Sequence, residues 1–366
     1  MPKSDLFSPC RLGPHLLSHR VVLAPLTRMR AFNAATPTTL MAEYYAQRAS
    51  PGGLLISEAT VISPNGFPHH NVPAVYSDAQ VEAWKMTTDS VHKKGGLIYL
   101  QLWHGGRASH RKLQPEEQLP GAPSAITPEG GGSLLPDGSR VPFEMPREMS
   151  LKEIESTIRD YAVATRQAMA AGFDGVEVHG ANGYLPDQFL QDGANHRTDE
   201  YGGSVENRAR FMLEVVKSVK AEIGADRVGV RISPNNPFNG ISDSDPTTTF
   251  SHITRELNSL GISYLHVIEP RVRGNEDHDV GAPPVASREL RPLFDGKLIA
   301  AGGFTKESGN ALVGEGIADL IAYGRHFISN PDLPERFRQG VELTPYDRST
   351  FYGGDSHGYT DYTTAT

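Results

Sequence analysis

The stretch His179-Gly180-Ala181-Asn182-Gly183-Tyr184 brings an imidazole, a carboxamide and a phenol into one short glycine-containing segment. Neutral imidazole and amide N–H groups can bind an oxygen on which negative charge develops, while a tyrosine, with an ordinary pKa of about 10, can donate a proton to carbon. A lone histidine is more often a satisfied core residue, but three polar side chains in one loop are harder to account for in that way. Gln101 and Arg231 add planar hydrogen-bonding groups and Thr27 a neutral hydroxyl, a set suited to an extended heteroaromatic ligand with several carbonyl and nitrogen acceptors. Further along, Ala300-Ala301-Gly302-Gly303 and Tyr323-Gly324-Arg325 combine glycine, which lets backbone amides approach a phosphate, with a guanidinium fork. A double glycine alone is more often a tight turn; paired with Arg325 it favours a phosphate-bearing cofactor.

These residues need a scaffold that gathers them. Short apolar runs at 20–24, 53–57, 97–102, 175–179, 228–232, 264–268, 297–301 and 320–323 each end in polar or glycine-rich sequence, and most are followed by a helical pattern. That alternation predicts parallel βα units. Eight units in about 320 residues fit a closed (β/α)8 TIM barrel better than a doubly wound sheet, since no Gly-x-Gly-x-x-Gly follows the first run. Ser150 and Glu153 form a capping box for one helix, Gly224 is a left-handed C-cap for a helix over 205–223, Gly261 ends the helix that starts at Thr247, and Thr305 caps another. In such a barrel the active site is built at the carboxyl ends of the strands. Those ends supply Thr27, Glu58-Ala59, Gln101, His179, Arg231, Glu269, Gly302-Gly303 and Gly324-Arg325. Residues 1–366 read as a single domain, and the long stretch 104–149, with Pro120-Gly121, Gly130-Gly131-Gly132 and Pro136-Asp137-Gly138, as a loop with a turn or hairpin that acts as a lid after the third strand.

Composition narrows the partners. The 35 basic and 43 acidic residues leave a formal net charge of −8 with the basic residues scattered, which argues against nucleic acid and for a small molecule. Cys10 is the single cysteine; it excludes a disulfide framework and a multi-cysteine zinc site and reads as a small buried apolar residue. No apolar run approaches the ~18 residues of a membrane span, and residues 1–14 carry no continuous apolar signal segment. Residues 362–366 are not a peroxisomal, prenylation or retention signal. A soluble, cytoplasmic protein is the expectation. Rival barrel chemistries fit less well. A glycosidase could draw on Glu58 and Glu269, a metal-dependent hydrolase has only the adjacent His69-His70, and a Schiff-base aldolase has only Lys297, at the wrong end of its strand.

Pro25-Leu26-Thr27-Arg28, the run Gln101-Leu102-Trp103-His104-Gly105-Gly106-Arg107, the segment 179–184, Asn195 to Ser204, Glu206-Asn207-Arg208 and the glycine pairs together resemble the Old Yellow Enzyme family of flavin-dependent ene-reductases. The resemblance spans essentially the whole chain and implies the same barrel holding a non-covalent FMN. It places Thr27 on the flavin O4, Gln101 on the pyrimidine edge, Arg231 at N1 and O2, and Gly303, Gly324 and Arg325 at the phosphate. Pro25, Leu26 and Ala59 would flank the ring. His179 and Asn182 would bind the substrate's carbonyl or nitro oxygen, Tyr184 would be the proton donor, and Trp103 and Tyr352 would line the substrate pocket; no metal is implied. NADPH is the implied hydride donor, reacting in turn with an activated alkene, a nitro compound or a nitrate ester. Thr27, where one branch carries cysteine, points to the branch with the yeast, plant and enterobacterial enzymes. Pro186 departs from the aliphatic residue usual there, and proline can alter the backbone that aims Tyr184.

Overall fold

Eight short parallel strands close into a ring in the computed structural model, which describes residues 5–274, 276–277 and 285–365. In chain order they are β1 Val21–Leu23, β2 Leu54–Ile56, β3 Leu97–Trp103, β4 Gly175–Gly180, β5 Val228–Ile232, β6 Tyr264–Ile268, β7 Lys297–Ala301 and β8 Leu320–Tyr323. β8 pairs with β1, and the remaining neighbours pair in sequence order, so no edge is left. Helices α1 Thr39–Arg48, α2 Asp78–His92, α3 Leu151–Ala170, α4 Leu185–Leu190, α5 Val205–Ile223, α6 Pro246–Leu260, α7 Ser287–Leu290, α8 Lys306–Gly314, α9 Arg325–Ser329 and α10 Leu333–Gln339 follow between or after them. The fold is a (β/α)8 barrel. Each predicted apolar run overlaps one of its strands, those at 97–102 and 175–179 falling one residue short of the strand end, and those from 228 onward match residue for residue.

Helix ends follow the sequence signals with two adjustments. The Ser150 and Thr305 hydroxyls accept from the backbone N–H of Glu153 and Ser308, and Gly261 is left-handed. Helix α6 begins at Pro246, one residue before the expected Thr247, with Asp245 as its cap, because a proline in the first turn gives up no helical hydrogen bond. Gly224 has φ 82 but ψ 152, outside the left-handed helical region. The chain there leads straight into the 3₁₀ turn Ala225–Arg227 instead of a Schellman-type reversal.

Alternation along the strands divides the interior into two unlike halves. On β4, Val176 and Val178 join the core under the helices, which leaves Gly175, Glu177 and His179 on the inner face. Val22, Leu54, Ile56, Ile299 and Leu320 fill one side of the barrel with Tyr99 and Tyr264. The other side holds Gln101, Glu177, Arg231 and His266, all buried. The two tyrosines fit because β4 and β5 have glycine opposite them: a Cβ on Gly175 would lie 2.5 Å from the Tyr99 ring and one on Gly229 2.1 Å from Tyr264. The hairpin of Cys10–Leu12 and His15–Leu17 packs on the same apolar half, with Cys10 buried.

The stretch 104–149 contains two short pairings, Ser133–Leu134 with Arg140–Val141 and Gly121–Ala122 with Arg147–Glu148. Its start is clamped by Gln188 of α4, whose Oε1 accepts from Arg107 N–H at 3.0 Å while Nε2 donates to Gly105 and Gly183 carbonyls at 3.0 and 2.7 Å. One amide thus ties the excursion to the loop after β4.

Replacing Gly229 by alanine drives a methyl into the Tyr264 ring. Overpacking of this kind typically costs about 1–3 kcal/mol, so Gly229→Ala is expected to lower the thermal midpoint by several degrees. An unchanged midpoint in calorimetry would contradict the tight fit.

Candidate functional site

A cavity of about 790 Å³ opens at the carboxyl ends of the strands, in the size range of cofactor and ligand sites. Its walls gather Pro25, Leu26 and Thr27 after β1, Ala59 after β2, Gln101 on β3, and His179, Asn182 and Tyr184 from β4 and its loop. Arg231 on β5, Gly303 after β7, Gly324 and Arg325 after β8, and Tyr352 near the carboxyl terminus complete the predicted set. Trp103 is the exception. It is wholly buried, with its indole edge-on to the Tyr184 ring at 4.9 Å, and it stands behind the wall instead of forming it. The last residue of β3 continues the inward-facing series of Tyr99 and Gln101, and the loop after β4 folds across it.

That loop presents its side chains by a set of local constraints. Asn182 has φ 60, a left-handed conformation that asparagine tolerates well. Its backbone N–H donates to Ser233 Oγ at 2.7 Å, and its Oδ1 accepts from Asn236 Nδ2 at 3.3 Å. The carboxamide is thereby oriented with its own N–H groups left to donate. Tyr184 is the N-cap of α4 in extended conformation, and Pro186 falls in the first helical turn, where the missing N–H has no intrahelical partner to lose. The proline is therefore compatible with Tyr184's position and helps to start the helix. Asp187, buried, accepts from Gly183 N–H and Gln191 Nε2 at 2.8 and 2.7 Å; burial nevertheless lifts its pKa to about 7. Burial also raises the Tyr184 phenol, which keeps it protonated as a donor requires. His179 is driven far below its ordinary pKa by burial first and then by Arg231 and His266, so its imidazole is neutral.

At and beneath the cavity floor lies a buried polar group in register across four strands. His179 pairs with Arg231, Arg231 with His266, and Glu177 with Gln101. Gln101 Nε2 donates to Glu177 Oε1 at 2.7 Å and His266 Nδ1 lies 2.8 Å from Glu177 Oε2. Burial pushes the Glu177 carboxyl up, but the His266 contact, the Arg231 charge and the Gln101 bond together bring it below its ordinary value. Arg231 is lowered to about 10 by burial and stays cationic at neutral pH. Arg231 Nε and His179 Nδ1 are both buried without a protein partner among the described residues.

Sequence reading passed over Glu177 and His266, and considered His69 only as half of a poorly fitting metal pair. The first two stood out only as charged or titratable residues at inward positions of apolar strands, three residues before the end of β4 and two before the end of β6. His69 lines the cavity, and its Nδ1 accepts from Leu134 N–H of the excursion at 3.3 Å. Burial holds it at about 4, hence neutral. The rival carboxylates are elsewhere. Glu58 is buried, accepting from Arg28 N–H at 3.2 Å, and Glu269 accepts from Ser287 N–H at 3.3 Å; neither is in the cavity wall. Lys297 pairs with Asp319 at 3.0 Å at the amino end of β7, opposite the carboxyl ends that form the cavity.

Residues 5–344 match the model of the NADH:flavin oxidoreductase / NADH oxidase family. The chain is 48% identical over 362 residues to 12-oxophytodienoate reductase 1 of Oryza sativa subsp. japonica, covering 98% of this chain and 92% of the rice protein. Among solved structures it is similar to morphinone reductase in complex with tetrahydroNAD, with TM-score 0.93, 45% identity and 99% and 98% of the two chains covered. The Old Yellow Enzyme homologue from Zymomonas mobilis gives TM-score 0.93 at 44% identity, covering 98% of this chain and 99% of the other.

Glu58, buried next to the segment that follows β1, gives a pH test of the packing around the site. Burial raises its pKa from 4.5 to about 7. A raised carboxyl binds its proton more tightly when folded, so its contribution to stability is complete below pH 4.5 and is lost as pH rises to about 7. Relative to Glu58→Gln, the wild type should therefore lose stability across that window and run parallel to the variant outside it. Urea unfolding of both proteins at several pH values measures the difference; a constant gap throughout would refute it.

Proposed function

We propose, from the premise that this chain belongs to the NADH:flavin oxidoreductase / NADH oxidase family, the Old Yellow Enzyme family, that its cavity holds FMN non-covalently and that it reduces the C=C bond of α,β-unsaturated carbonyl or nitro compounds. NADPH is the hydride donor in a ping-pong sequence, with nitro compounds and nitrate esters as further acceptors. The observation that carries this reading is the pair of buried, unpartnered polar atoms on the cavity wall, Arg231 Nε and His179 Nδ1. Buried polar atoms normally find partners, so such atoms call for a ligand. The tetrahydroNAD-bound neighbour supports a nicotinamide entering the same type of cavity.

The residues fit the cofactor. Gln101 spends its amide N–H on Glu177, so its carbonyl oxygen is left to accept from the flavin pyrimidine edge. Arg231 offers a cation for the N1 and O2 region, and the Thr27 hydroxyl a donor for O4. Backbone at Pro25 and Leu26 and the small Ala59 flank the ring. Gly303, with φ 63, Gly324 and Arg325 surround the phosphate position. When bound, FMN supplies hydride acceptance from the nicotinamide and hydride donation to the β-carbon of the alkene. His179 and Asn182 then hold the substrate oxygen on which charge develops, both as neutral donors, and Tyr184 delivers a proton to the α-carbon. Tyr352 bounds the substrate space, with Trp103 backing Tyr184. Glu129, Arg140 and Phe143 of the 104–149 excursion reach the cavity and serve as a lid over a single-domain enzyme.

Purified protein is expected to be yellow, with one FMN released per chain on heating. Arg325→Ala should weaken FMN binding by the ~1.5–3 kcal/mol of a charge-assisted contact, read as the dissociation constant of the reconstituted apoprotein. Protein that takes up no FMN would refute the assignment.

Stopped-flow and steady-state kinetics separate the two halves of the reaction. Double-reciprocal plots at several NADPH levels should be parallel. Tyr184→Phe should leave flavin reduction by NADPH nearly unchanged and slow reoxidation by cyclohexenone, yet spare hydride transfer to a nitroalkene, whose nitronate needs no enzymic proton. His179→Ala or Asn182→Ala should slow reoxidation by both acceptors, by about 10²–10³ for loss of one such donor. Equal slowing of both acceptors by Tyr184→Phe would remove Tyr184 from the proton-donor role.

A further inference from the structure

We propose that Glu177, which lies beneath the cavity and outside its wall, is the positioning residue for the flavin's pyrimidine edge: it fixes which end of the Gln101 amide faces the cofactor and tempers the Arg231 charge. The inference rests on the FMN reading given above and concerns a residue outside the set predicted to touch cofactor or substrate.

The geometry leaves Glu177 little freedom. It sits in the middle of β4 with no solvent exposure. Both carboxylate oxygens are engaged, one with Gln101 Nε2 at 2.7 Å and the other with His266 Nδ1 at 2.8 Å. A carboxylate only accepts, so Gln101 must turn its NH₂ toward Glu177 and its carbonyl oxygen away, and His266 must carry its proton on Nδ1. That tautomer leaves His266 Nε2 as a lone pair, and this atom is buried without a partner. Gln101, turned this way, presents an acceptor suited to the N3–H of a flavin. Were the amide reversed, it would set a donor against a donor.

The second effect is electrostatic. Arg231 is the register partner of His266 on the adjacent strand, and its charge interacts with that of Glu177. Reduction places extra negative charge on the pyrimidine side of a flavin, and an uncompensated guanidinium there would favour the reduced cofactor strongly. Ionised Glu177 offsets part of that attraction and holds the potential low enough for hydride to leave again. A glutamate kept only to satisfy core hydrogen bonds would do neither thing in a directed way, since glutamine fills the same volume and also bonds to His266 and Gln101.

Two measurements test this, neither of which is turnover. Apoprotein from the full chain is titrated with FMN and with N3-methyl-FMN, and the midpoint potential of each FMN-loaded form is measured against reference dyes. Wild type should bind FMN about tenfold or more tightly over the N3-methyl analogue, the worth of one hydrogen bond. Glu177→Gln should lose most of that discrimination, because its amide lets Gln101 reverse, and should raise the midpoint potential. Glu177→Asp keeps the charge but draws back from Gln101, so discrimination should fall while the potential stays near wild type. Glu177→Gln with unchanged discrimination and an unchanged or lowered potential would overturn the proposal. If that variant does not fold, wild type that binds both flavins equally overturns it on its own. Wild type that takes up no flavin would overturn both this inference and the proposed function, whereas flavin-loaded wild type beside an indistinguishable variant overturns this one alone.

Discussion

A guanidinium held inside a barrel governs the rest of the molecule's arrangement. Taking Arg231 out of water is expensive, and its attraction to a nearby carboxylate repays that only when further hydrogen bonds satisfy the partner. The carboxylate is Glu177, and its two oxygens are satisfied by Gln101 and His266. Four polar side chains on four adjacent strands therefore come as a set; removing one leaves another buried and unpaired. The apolar residues of β1, β2, β7 and β8 fill the opposite half. The barrel is packed on one side like an ordinary core and prepared on the other for an anionic or acceptor-rich ligand.

The same positive field reaches the next layer up. His179 stays neutral because it is buried beside Arg231, and a neutral imidazole can donate to a developing oxyanion without pairing with it in the ground state. The loop that follows is fixed from three sides. Ser233 and Asn236 after β5 orient Asn182, Asp187 of α4 holds Gly183, and Gln188 binds the loop to the excursion at Gly105 and Arg107. The donors in the wall are held by neighbouring strands and helices, which is what precise placement of a reacting oxygen demands.

The carboxyl-terminal segment is held by a different device. Arg28, Arg30 and Arg48 are buried and donate to backbone carbonyls of Phe351, Asp355 and Tyr359 at 2.9, 3.0 and 3.1 Å. Tyr44 and Tyr359 stack at 4.2 Å with Arg48 over the Tyr44 ring at 3.6 Å. These bonds bring Phe351 and Tyr352 into the cavity wall, so Arg28, one residue beyond Thr27, links the part of the wall that follows β1 to the part contributed by the carboxyl-terminal segment. No sequence spacing announces this, since the partners are carbonyls, which every residue carries.

Strand positions, the barrel and thirteen of the fourteen proposed site residues in the cavity wall were readable from the chain, because periodic apolar runs and the residues at their ends are local properties and a parallel βα repeat has few ways to close. The capping residues Ser150 and Thr305 were readable for the same reason. Trp103 was misjudged because whether a strand-end side chain meets the cavity depends on which loop folds over it, and that loop begins some eighty residues later, at Gly180. Glu177 and His266 carry no local signal of their role, since a charge inside a strand acquires meaning only from the cross-strand register that sets it beside Arg231. The sequence by itself determined which chemical groups stand at the strand ends; only the tertiary structure decided their protonation states and orientations, because desolvation and hydrogen-bond partners come from residues distant in the chain.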